Sequence, residues 1–132
     1  MRMPNAVAGL LIAALAVSPG HGEEDFEARW KDAERNRETS AGQHYEDAFG
    51  GAFSPVYAPW LNECAQKRGA SMENFDLLVK IGGKGKVEQA RVKPATQLAE
   101  CFMALAKGKT WPTPPSPGYW WLAAVRFSEP KP

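Results

Sequence analysis

The chain has 132 residues, 44% of them apolar and 23% charged, the make-up of an ordinary globular protein with room for one domain. Sixteen basic side chains stand against fifteen acidic ones, so there is no basic excess of the kind a nucleic-acid binder carries, and two histidines leave little for a metal centre.

In chain order, Arg2 precedes a short apolar run over residues 6–17, which Ser18, Pro19 and small residues follow. These are the three regions of a secretory signal peptide. About a dozen apolar residues are too few for a permanent span, which needs roughly 20. Residues 1–22 are therefore predicted to be removed, with the mature chain starting between Val17 and Glu23. The product is expected to be periplasmic or secreted, with no stable membrane span after processing and no lipidated cysteine.

The charges that remain are divided unevenly. Residues 23–50 hold nine acids and four bases, and residues 51–132 hold eleven bases and six acids. Such asymmetry fits a solvated acidic arm beside a mildly basic domain, or an arm folded back on a basic surface. Residues 23–38 read as a charged helix with a thin apolar stripe of Phe26, Trp30 and Ala33, free to dock, stand alone or meet a partner. Residues 39–51, with Ser40, Gly42, Gly50 and Gly51, read as a linker carrying Tyr45 and Phe49. The division that follows is an arm and linker over 23–50, a domain over 51–128 and a tail over 129–132.

Ser54-Pro55 and Ala58-Pro59 each look like a helix start, and Gly69 like its end. Tyr57, Leu61, Cys64 and Ala65 would form the inner stripe. Next come two strands. Leu77, Val79 and Ile81 alternate with Asp76, Leu78 and Lys80, the Gly82-Gly83-Lys84-Gly85 run supplies a turn, and Val87, Ala90 and Val92 share a face only if a bulge falls near Glu88-Gln89. After Pro94, Leu98, Cys101, Phe102 and Leu105 make one stripe of a helix that stops at Gly108. The proline-rich link 111–117 should be extended and stiff. In the last segment, 119–127, Trp121, Ala123, Val125 and Phe127 lie on one face of a strand and Trp120, Leu122, Ala124 and Arg126 on the other.

Little in this chain carries catalytic chemistry. His44 is the only histidine outside the signal region, no GxSxG occurs, and the glycine-rich run joins two strands rather than opening a helix. Cys64 and Cys101 are an even pair in an exported chain, each on the inward face of a predicted helix, which favours a disulfide over two buried thiols. Among the aromatics, one of Trp120 and Trp121 faces the core. The other, with Trp111, either covers the hydrophobic edge or forms a contact surface for a peptide or a sugar.

The segments Leu77-Leu-Val-Lys-Ile, Gly85-Lys-Val-Glu-Gln-Ala-Arg-Val92, Leu98-Ala-Glu-Cys101 and Trp111-Pro-Thr-Pro, with a closing apolar strand to Phe127, carry a resemblance in their order and spacing. The region from Tyr57 to Phe127 resembles the C-terminal domains of the TonB and TolA class, especially TonB-like modules of gliding-motility-type proteins. The resemblance implies an α+β fold: a three-stranded antiparallel sheet with two helices packed on one face and the last strand at an edge, here preceded by the charged N-terminal helix. It implies binding rather than catalysis, and no cofactor. An energy transducer keeps an uncleaved membrane helix and a long proline-rich spacer, and this chain shows neither.

The reading is thus a non-enzymatic, exported binding module whose partner is a protein or another cell-envelope component. Its candidate contact residues are Tyr119, Trp120, Trp121, Leu122, Ala124 and Arg126 on the edge strand, or Lys84 and Lys86 at the hairpin tip. A structural subunit docking through its acidic arm, and a small secreted hydrolase or an inhibitor of one, are the alternatives.

Overall fold

A computed structural model describes residues 21–127 of the chain. All of the expected signal sequence but its last two residues, and the 129–132 tail, lie outside the described residues. The elements run α1 (His21–Asn36), α2 (Ser40–Ala65), β1 (Phe75–Ile81), β2 (Val87–Lys93), α3 (Gln97–Lys107) and β3 (Tyr119–Val125). The strands form one antiparallel sheet in the order β2-β1-β3, an α+β architecture.

The central strand β1 shows why the sheet needs covering on both sides. Leu77, Val79 and Ile81 point to one face and are fully buried, as their alternation demands. Leu78, on the other face, is fully buried as well. The first face packs against α2 and α3 through Tyr45, Phe49, Cys64, Leu98 and Phe102, joined from β3 by Trp121 and Val125. The second face is covered by α1, whose Phe26 and Ala33 meet Leu78, Trp120 and Leu122. Each large apolar side chain so buried contributes about 1.5–3 kcal/mol. The adjacent Trp120 and Trp121 therefore both enter cores, one on each side of the sheet.

The arm is docked, and it meets basic side chains as it does so. Asp25 pairs with Arg91 on β2, while Lys93 lies 5.6 Å from the centre of the Phe26 ring. Asp32 is used along the helix itself, where it holds Arg29 at 3.0 Å and also pairs with Arg35.

The segment 39–51 is not a linker. It is the first half of α2, which runs unbroken through Gly50-Gly51 and through Pro55 and Pro59. Thr39 caps it, its side chain accepting from the Gly42 amide at 2.9 Å. Two interior glycines cost about 1 kcal/mol each. Tertiary packing offsets this: Tyr45, Phe49 and Phe53 recur every fourth residue on the face turned to the sheet, and Phe49 is stacked between Trp111 at 4.3 Å and Trp121 at 4.0 Å. Pro55 and Pro59 sit on the exposed side, where carbonyls that lose a helical partner can turn to water.

The rest follows the periodicities. The register of β1 against β2 slips between Lys80 and Ile81, which places the extra residue of the bulge at Glu88. Thr96 caps α3 and Gly108 ends it. Cys64 and Cys101 are bonded, tying α2 to α3.

Candidate functional site

Because β3 pairs only with β1, one of its edges carries no strand among the described residues. Along an antiparallel strand, backbone groups of alternate residues point toward the partner strand and away from it. The carbonyls of Trp120 and Leu122 are met from the side of α1. The Asn36 side-chain amide donates to Trp120 O at 3.0 Å, and the Arg37 guanidinium donates to Leu122 O at 3.1 Å. Arg37 is in turn 3.5 Å from Glu46 on α2, whose other oxygen accepts from the Tyr119 hydroxyl at 3.0 Å. Beside them Tyr45 donates to Pro112 O at 2.7 Å. Burial raises the pKa of both phenols well above the usual range, and the nearby Glu46 charge raises it further. This network ties the end of α1, the start of α2 and the first half of β3 together.

The second half of the edge is different. Ala124 is exposed and shares the direction of Trp120 and Leu122, and among the described residues no side chain reaches its backbone. Beside it runs a groove of about 380 Å³ whose walls are Gly50, Phe53, Ser54 and Tyr57 on α2 and Ala123 and Ala124 on β3. A side chain at Gly50 would meet nothing within 4 Å, so the groove has free space above the helix as well. What the arrangement offers is a short stretch of unpaired strand edge next to an apolar, aromatic-walled trough. Those are the two elements that recognise an extended peptide: main-chain pairing for affinity and a pocket for selectivity.

The other residues singled out from sequence divide sharply. Tyr119, Trp120, Trp121 and Leu122 are buried, so a partner could not use their side chains. Trp111 covers the core and is no contact surface; it is buried, stacks on Phe49 and donates its indole N–H to Ala106 O at 3.1 Å. Arg126 is held internally by Asp76 at 2.7 Å and by the Phe75 carbonyl at 3.0 Å. Lys84 and Lys86 are exposed at the hairpin tip, as their place in the turn requires. His44 is exposed on α2. Among the described residues no group of three or more His, Cys, Asp and Glu side chains is placed to hold a metal ion, and no helix among them is long and apolar enough to cross a membrane.

Asn36, Arg37, Glu46, Phe53 and Gly50 belong to this site and carry no signal in the sequence that would assign them to it. The contacts of Asn36 and Arg37 join positions 84 and 85 residues apart. Comparison with protein-family models, with curated proteins and with solved structures finds no match.

Proposed function

We propose that this protein is an exported, non-enzymatic module of the cell envelope that binds a partner protein by adding an extended segment to the free half of the β3 edge. The observation that carries this reading is the contrast within one strand edge: the Trp120 and Leu122 carbonyls are capped from α1, while Ala124 is left open beside the groove. An unpaired edge invites strand addition, and capping most of it confines the addition to one short place. The likeness to TonB and TolA C-terminal domains, proteins that act by binding, supports the same reading. Periplasmic export rests on the signal-like residues 6–17.

The test is a comparison of two variants in capture from envelope extract, followed by titration of the captured partner. Ala124→Pro removes an outward N–H and leaves the ladder to β1 intact, because Ala124 has the same outward orientation as Trp120 and Leu122. Lys84→Glu with Lys86→Glu reverses the charge of the hairpin tip. Ala124→Pro, folded by circular dichroism, is expected to weaken partner binding more than the double charge reversal does. The opposite ranking moves the site to the hairpin tip.

A further inference from the structure

A second cleft lies near the opposite end of β3, and its chemistry is unlike that of the groove. It measures about 420 Å³, within the usual size of small-molecule sites, and opens between α1 and the loop that enters β3. Arg29 and Arg35 reach it from α1, Lys80 from β1, and Trp120 with Gly118 closes the far side. Among the described residues the only carboxylate lining it is Asp32.

The charges around the cleft do not balance. Asp32 is shared by Arg29 and Arg35, and the neighbouring Asp25 is shared by Arg29 and Arg91. Two carboxylates thus serve three guanidinium groups, and Lys80, half-buried, has no ion-pair or hydrogen-bond partner among the described residues. The Nε of Arg29 is also buried and makes no hydrogen bond; its nearest carboxylate oxygen, on Asp25, is 3.5 Å away. A half-buried ammonium without a counter-charge is unfavourable, and so is a buried donor without an acceptor. Gly118 keeps the path of Lys80 clear: its φ is +79°, and a Cβ there would lie 3.3 Å from the lysine Cε. The basic side chains come from a helix and a strand in two separate parts of the sequence, and they line one cleft walled by an indole.

We propose that this cleft is an oxyanion site that takes the phosphate or carboxylate group of a small ligand, with Lys80 as its principal counter-charge and the Arg29 and Arg35 guanidinium groups beside it. One such anion would supply the acceptor that Lys80 lacks. It would also offset the local positive excess.

The experiment is an NMR titration of the full chain, labelled with ¹⁵N, at constant ionic strength. Sodium phosphate and sodium citrate are added in separate arms, with sodium chloride as the control. The expected result is saturable shifts of the Trp120 indole, Gly118 and the Arg29 Nε–H with phosphate or citrate and not with chloride. Lys80→Gln should weaken the affinity about tenfold, the loss expected for one charge-assisted contact. Lys84→Gln with Lys86→Gln should leave it unchanged. Lys80→Arg, which keeps the charge, should retain binding and guards against a Lys80→Gln variant that fails to fold. Vesicles of phosphatidylglycerol in phosphatidylcholine form the last arm: Lys80-dependent binding there, beyond what free phosphate gives, assigns the anion to a lipid headgroup. Shifts that stay linear in both small-anion arms together with vesicle binding that is absent or indifferent to Lys80, or equal affinity in Lys80→Gln, would overturn the assignment.

Discussion

Replacing Phe49 by alanine separates a packed helix from a flexible linker more directly than any other change. The Phe49 ring is 1% exposed and lies between two indoles, with centroid distances of 4.3 and 4.0 Å and interplanar angles of 9° and 20°. Truncating a buried phenylalanine costs about 3–5 kcal/mol. The two stacked contacts, each worth about 0.5–1.5 kcal/mol beyond area, place this site in the upper part of that range. Against a total stability of about 5–15 kcal/mol the loss is severe. In urea, with a slope of about 1–3 kcal/mol per molar for a domain of this size, the midpoint should fall by about 1.5 M or more. Near-ultraviolet circular dichroism should follow the same transition, because Phe49 orders Trp111 and Trp121. Ala48→Ser, on the exposed side of the same turn, should cost less than about 0.5 kcal/mol. A Phe49→Ala loss below about 1 kcal/mol would refute the packing argument and restore the linker.

Three further outcomes are expected. Reduction of Cys64–Cys101 should remove about 3–4 kcal/mol, the loop entropy for its 37-residue separation, seen as a lower melting temperature in calorimetry; two titratable thiols before reduction would contradict this. Stability should fall as pH climbs past about 10: there the unfolded chain releases phenolic protons that folded Tyr45 and Tyr119 retain, so the folded state binds more protons and loses ground. Tyr119→Phe should flatten that alkaline slope in denaturation series at several pH values. Gly85→Ala should lower the melting temperature by an amount matching about 2 kcal/mol or more, since φ is +82° and a Cβ would overlap the Trp111 carbonyl oxygen.

The hairpin, α3 and β3 were legible in the sequence because their apolar residues keep strict periods. Even the bulge could be read from the mismatch of Val87 with Ala90 and Val92. The disulfide followed from parity and from two inward-facing stripes. The first half of α2 was hidden by its punctuation, since Gly42, Gly50, Gly51, Pro55 and Pro59 all signal breaks. What overrides them is the burial of Phe49 between Trp111 and Trp121, more than sixty residues later in the chain. For the same reason only one of Trp120 and Trp121 could be assigned to a core: the cover of Trp120, the Phe26 and Ala33 face of α1, comes from the far end of the sequence. The edge position of the last strand was an implication of the resemblance, and the sheet order β2-β1-β3 places it there; its partition could not be anticipated. That depends on single side chains, Asn36 and Arg37, reaching carbonyls at long separation.

The position of the disulfide also decides how the molecule would respond to being pulled. The bond between Cys64 and Cys101 encloses β1, β2 and the start of α3 in a covalent ring. A tensile load applied at the two chain ends passes through the sulfur atoms and never enters that ring, so about 120 Å of contour length is withheld from extension. The load would instead fall on α1, on nearly all of α2, on α3 beyond Cys101 and on β3. In β3 the strand would be drawn off β1 from its C-terminal end, the end at which Ala124 stands open. Under tension an oxidised chain would therefore lengthen in the parts that bear on the proposed partner edge while the hairpin stayed whole, and a reduced chain would yield throughout.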